Sequence, residues 1–213
     1  MPNKAQLKQA VCEAIDRHRS EIVQLGETIL YNPETGYKEF KTAQLVAQRM
    51  EELGLAQQTG LAITGVKGRL KGGKPGPTIA ILGELDSLIV REHPLAHPET
   101  GAAHACGHNA QIAGMLGAAQ GLQEAGALEQ MAGEVIFFAV PAEELIEMEE
   151  RMRMREERKI EFMVGKQELI KLGHFDEVDL AVMIHTISDP GITSRIVDSS
   201  NGCVVKKIRF LGK

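Results

Sequence analysis

Cys106 and His108 stand two positions apart, around Gly107, in the run Ala103-His104-Ala105-Cys106-Gly107-His108-Asn109. A thiol and an imidazole at that spacing can turn towards one point, and both are good ligands for a divalent transition metal. The run follows a loop and opens a helix rich in small apolar residues, so it sits at a turn where α/β proteins keep their chemistry. Three predicted buried strands each exit into a residue with useful chemistry. Thr78 to Leu85 leads to Asp86, Glu134 to Val140 leads through Pro141 to Glu143 and Glu144, and Leu180 to Ile184 leads to His185. In a parallel sheet all these exits share one edge, where ligands bind. One geometric rule thus gathers a thiol, two imidazoles and three carboxylates.

Such a set suits metal-assisted hydrolysis. A divalent ion acidifies water and polarises a carbonyl. A carboxylate outside the ligand set must then carry the water's proton to the leaving amine. The adjacent Glu143 and Glu144 can divide the roles of base and ligand. Each residue also has a plainer reading: Cys106 as a packed thiol, the two glutamates as first-turn acids, His185 as a loop histidine and Asp86 as a turn cap.

The elements that must position these groups follow from apolar periodicity. Lys4 to about Asn32 reads as one amphipathic helix, broken by Asn32-Pro33-Glu34-Thr35-Gly36, and Thr42 to Leu53 as a second helix capped by Gly54. Leu61 to Leu70 is strand-like, and Lys71 to Pro77 is a turn by composition. A long loop from Ser87 to Ala105 precedes a helix from Ala110 to about Ala125. Asn109 is its expected N-cap, with Gly114, Gly117, Ala118 and Gly121 letting it approach a sheet. Leu145 to Leu172 reads as mostly helical and heavily charged, and Glu147 to Arg158 within it as a solvated helix laced with i,i+4 charge pairs. Cys203 to Leu211 reads as a last strand. The fold class is α/β, three-layered, with a mostly parallel twisted sheet and helices on both faces.

Composition narrows the function classes. The 213 residues are 43% hydrophobic with a net charge of −5, which supports one sizeable core and offers no basic stripe for nucleic acid. Tryptophan is absent and only Tyr31 and Tyr37 are present, so there is no stacking array either. No apolar run suits a membrane span, no signal peptide is evident, and Cys12, Cys106 and Cys203 form no disulfide framework. The expectation is a cytoplasmic protein. The glycines of Lys71-Gly72-Gly73-Lys74-Pro75-Gly76 lack phosphate-loop spacing, which argues against a nucleotide binder.

Five segments together resemble the M20 metallopeptidase family in its amidohydrolase branch. They are Asn32-Pro33-Glu34-Thr35-Gly36-Tyr37, Gly83-Glu84-Leu85-Asp86-Ser87-Leu88, His104 to Asn109, Pro141-Ala142-Glu143-Glu144 and Ile184-His185-Thr186. The resemblance implies a zinc-peptidase-like catalytic domain with Cys106, His108, Glu144 and His185 as metal ligands. Glu143 would be the general base, and Asp86 a carboxylate that orients a ligand from behind. It implies one or two ions of Zn, Mn, Co or Ni, and a small amide or short-peptide substrate. N-acyl amino acids and aminobenzoyl-glutamate-like compounds belong to that class, and full-length relatives are homodimers. Glu84 stands where many members carry a metal-binding histidine and is not assigned as a ligand. Residues 1–200 correspond to the N-terminal part of the catalytic domain and 201–213 to the start of a lid domain. The chain resembles the N-terminal half of an enzyme and is expected to be weakly active or inactive alone. A non-catalytic metal-binding or interaction remnant is the alternative.

Overall fold

The computed structural model describes residues 3–187, 191, 193–196, 210 and 212. Five strands form the main sheet: β1 (Ala56–Leu61), β2 (Gly65–Lys71), β3 (Lys74–Glu84), β6 (Ala132–Val140) and β7 (Leu180–Met183). Their order is β1-β2-β6-β3-β7. β6, β3 and β7 pair in parallel, while β2 runs antiparallel to both β1 and β6, so only β2 opposes the common direction. This is the expected mostly parallel α/β sheet. Two-residue strands β4 (Leu88–Ile89) and β5 (Ala102–Ala103) make a small hairpin within the predicted loop.

Strand alternation divides the core into two faces. Val135, Phe137 and Ala139 of β6 join a cluster with α2 (Arg19–Leu30), α3 (Phe40–Glu52) and α4 (His108–Glu124). Ile136, Phe138 and Val140 face the other way, onto Leu169 of α6 (Gly165–Lys171). Helices therefore cover both faces, and β6 is buried on both.

Several expectations need correction. The first predicted helix is two, α1 (Lys4–Arg17) and α2, joined at His18, whose backbone leaves the helical region (φ −98°, ψ 11°). The break lets both helices pack on α4. Side chains there lie so close that an added Cβ on Gly121 would meet Ile15, and one on Gly117 would meet Ile22. The small residues of α4 thus receive helices, while Ile112, Met115 and Leu116 join the core with the sheet. The strand-like Leu61 to Leu70 is a hairpin, turning at Ala62 and Ile63, which both adopt positive φ. β3 begins at Lys74, inside the predicted turn. Asn109 is not the N-cap of α4; Gly107 is, and the Asn109 amide donates to the carbonyl of Gly26. The charged stretch contains two helices, α5 (Met148–Glu156) and α6, separated by a turn and irregular chain. The ion pairs of Glu147 and Glu150 reach across to Lys38, and Arg151 is 1% exposed, so α5 is not a simply solvated helix. β7 reads as a buried strand in sequence, but it is the sheet edge and all four of its residues are exposed. The strand expected over Cys203 to Leu211 lies outside the described residues, except Phe210.

Candidate metal centre

The parallel arrangement of β6, β3 and β7 puts the segments after Val140, Glu84 and Met183 on one edge of the sheet. α4 starts at the same edge. Gly107 makes this possible: its φ of +93° is left-handed, and a side chain there would collide with Thr186. The Thr186 hydroxyl donates to the Cys106 carbonyl at 2.8 Å, tying the α4 entrance to the exit of β7. Gln111, one turn into α4, adds a second tie. Its Oε1 accepts from the Glu84 N–H and its Nε2 donates to the Ile184 carbonyl, both at 2.6 Å.

All six residues singled out in the sequence meet here. Cys106 Sγ lies 3.3 Å from His185 Nε2. One donor atom from each of Cys106, His108 and His185 lies within 4.8 Å of the others. His108 Nδ1 is 2.9 Å from the Asp86 carbonyl oxygen, and His185 Nδ1 is 3.0 Å from that of Thr186. A carbonyl oxygen can only accept, so Nδ1 carries a proton in both rings and Nε2 is the atom turned to the neighbouring side chains. Nε2 of His108 points at carboxylates: Glu84 Oε2 at 3.0 Å, Glu144 Oε1 at 3.9 Å and Glu143 Oε2 at 4.0 Å. Asp86, fully buried, sits behind, and its Oδ2 accepts from the Glu144 N–H at 2.9 Å.

The donor set fits a divalent cation. Among the described residues, Glu84 Oε2, Asp86 Oδ1, His108 Nε2 and Glu144 Oε1 are buried and find no hydrogen-bond partner. The 3.0 Å approach of His108 to Glu84 is therefore close but not aligned. An unsatisfied buried polar group costs about 1–3 kcal/mol, more when charged. Such orphans round one space, beside a thiol and a second imidazole, are what a soft-to-intermediate cation relieves.

Without that cation the protons do its work. Burial alone would lower the pKa of His108, but the adjacent Asp86 and Glu84 carboxylates carry it to about 11. Burial would raise Glu84, yet His108 and Lys166 bring it down to about 2. Burial, and then the charge of Glu144, push the Cys106 thiol up to about 11. Glu143 is raised by burial and by Glu84. His104, buried with both ring nitrogens unpartnered, is lowered to about 4 by burial and the nearby His108.

Residues 80–202 match the model of peptidase family M20/M25/M40. The chain belongs to this family. Among its M20/M25/M40 relatives, thermostable carboxypeptidase 2 of Saccharolobus solfataricus is 37% identical over 127 residues, 58% of this chain and 32% of that one. The N-acyl-L-amino acid amidohydrolase of Geobacillus stearothermophilus is 27% identical over 181 residues, 84% of this chain and 44% of that one. In fold, the Bacillus subtilis YXEP protein, a dinuclear metal binding peptidase from the M20 family, superposes with a TM-score of 0.67 at 24% identity. The match covers 82% of this chain and 45% of that one. The chain spans less than half the length of these relatives.

Sequence reasoning set Glu84 aside and missed Lys166, Gln111 and Thr186. Glu84 had a signal, its place at a strand exit two residues before Asp86. Lys166 had none: it reaches Glu84 across 82 positions of chain.

Proposed function

We propose that this chain carries the metal centre of a metal-dependent amidohydrolase. Its substrates would be amides of N-acyl amino acids, short peptides or aminobenzoyl-glutamate-like compounds. The observation that carries this reading is the convergence of Cys106, His108 and His185 beside buried carboxylate oxygens that lack partners. Cys106, His108, Glu144 and His185 would hold one or two ions of Zn, Mn, Co or Ni. Bound there, the metal supplies acidified water and a polarised amide carbonyl.

The chain's own residues supply the rest. Asp86 fixes the His108 proton at Nδ1 and so keeps Nε2 for the metal. Its carboxylate also holds the Glu144 backbone in place. Glu143, less buried than its neighbours, takes the water's proton and delivers it to the amine nitrogen as the C–N bond breaks. Burial and then the charge of Glu84 raise its pKa above the ordinary carboxylate value, which makes it a better proton acceptor. We read residues 1–200 as part of the catalytic domain and 201–213 as the start of a lid. Cytoplasmic location and dimeric full-length relatives belong to the same reading. Among the described residues no helix is long and apolar enough to cross a membrane.

The test is Glu143→Ala, with turnover and metal content measured separately. Metal-dependent release of amine from N-acetyl amino acids should fall by about 10²–10⁴-fold while bound metal stays unchanged. Turnover undiminished in Glu143→Ala would defeat this reading of the centre, because the base would then lie elsewhere.

A further inference from the structure

The donor atoms at the sheet edge fall into two overlapping groups. Cys106, His108 and His185 form one; Glu84, His108 and Glu143 form the other. They share the same imidazole, and with Nδ1 committed to Asp86, His108 has one lone pair, on Nε2. It can complete only one of the two groups as a terminal ligand. If it serves the thiol side, the other group keeps, among the described residues, the Glu84 and Glu143 carboxylates.

That second side already has a cation. Lys166, the second residue of α6, forms an ion pair through Nζ with Glu84 Oε1. Glu84 is 1% exposed, and its other oxygen faces His108 without an aligned hydrogen bond. The backbone that carries Lys166 is held in place, because the start of α6 is clamped to the loop that carries Glu143. The Gly165 N–H donates to the Ala142 carbonyl at 3.0 Å, and Gly165 packs so tightly on the Pro141 carbonyl that a side chain would not fit. The Glu168 carboxylate accepts from the Glu161 and Phe162 N–H groups, fixing the chain before the helix.

We propose that the Lys166 ammonium takes the place of a second metal ion, so that this centre holds one ion, on the Cys106–His185 side. This inference rests on the metal-centre reading above. A fixed positive charge beside Glu84 repels a divalent ion from the Glu84–Glu143 pair. It also leaves Glu143 unligated and free to move a proton, which a carboxylate clamped between two ions is not.

The experiment counts metal in the 213-residue chain. Protein stripped with a chelator is dialysed to saturation against Co(II), and cobalt per folded chain is measured by elemental analysis. Near-ultraviolet thiolate-to-Co(II) absorption reports whether Cys106 is a ligand. The expected result is one ion per chain with the thiolate band in the wild type and in Lys166→Arg. Lys166→Met should bind two, with the band retained. Two ions in the wild type overturn the proposal, whether or not Lys166→Met folds. One ion in a folded Lys166→Met overturns it as well, because the charge then excludes nothing. No cobalt and no thiolate band in any variant overturns the metal-centre reading itself, and this inference with it.

Discussion

His108 and His185 are aimed by the least reactive groups in the protein, two backbone carbonyls. With Nδ1 so committed, each ring can present only Nε2 to a ligand. The metal-free state holds protons at His108 and Cys106, both with pKa near 11. In the proposed centre metal binding expels them, so affinity should rise with pH throughout the neutral range, with up to about two protons released per ion. Calorimetric Co(II) titrations in two buffers of different ionisation enthalpy measure that release; equal heats in both would mean that neither His108 nor Cys106 gives up a proton to the metal. Glu39 provides a second titration, away from the ligands. It is fully buried, accepts from the Ala142 N–H and the Thr64 hydroxyl at 2.7 Å each, and so steadies the left-handed Ala142 that precedes Glu143. Burial, then the charge of Asp86, push its carboxyl up to about 8 from 4.5. Because the folded state keeps a proton that the unfolded chain has lost, this contribution is full below the unfolded value. It is lost as pH rises through the folded one, at up to about 1.4 kcal/mol per pH unit. Glu39→Gln mimics the protonated form and should remove that slope. Urea midpoints at pH 5 and 8 should then differ less in the variant than in the wild type.

At the scale of elements, the entrance to α4 decides whether the thiol and the two imidazoles can meet. Gly107 is left-handed and lies under Thr186, whereas Gly126 is also left-handed (φ +60°) but has open space around its missing side chain. Alanine at either position carries the left-handed penalty of about 1–2 kcal/mol. Only Gly107→Ala must also push Thr186 away, breaking its hydrogen bond to Cys106 and with it the Cys106–His185 approach. Thermal melts should therefore show a larger loss for Gly107→Ala than for Gly126→Ala. Only Gly107→Ala should weaken Co(II) binding, and equal metal affinity in the two variants would refute this role for the α4 entrance.

Across the whole molecule, the two faces of the sheet are covered, whereas among the described residues no strand pairs with the outer edge of β7. Leu180, Val182, Met183 and Ile184 are all at least 41% exposed. An exposed apolar edge strand is a template for pairing with other chains. Val182→Lys, which keeps the pairing of β7 with β3, should raise the concentration at which the protein stays monomeric in sedimentation velocity. No change in association would show that the edge is not where the chains meet.

Much of this molecule was legible in its amino acids because burial writes a strong signal. β3 and β6 read as buried apolar runs, α4 as a helix following the Cys-Gly-His turn, and each strand exit as a polar residue on one edge. Those features fixed the fold class and brought Asp86, Cys106, His108, Glu143, Glu144 and His185 to notice. Long-range pairing left no such mark. The break between α1 and α2 sits at His18, whose ring pairs with Glu124 from α4 at 2.6 Å, and nothing local demands it. β1 is polar and mostly exposed, so it lacks the alternation of a half-buried strand. Arg151 reads as one charge in a solvated run, but it is buried against the Tyr37 ring and the Met163 carbonyl. Lys166 lies far in sequence from every carboxylate it faces at the centre. Amino-acid types and local periodicity determined which groups could do chemistry; the packing of α6 on the sheet decided which cation stands among them, because charge acts through space and not along the chain.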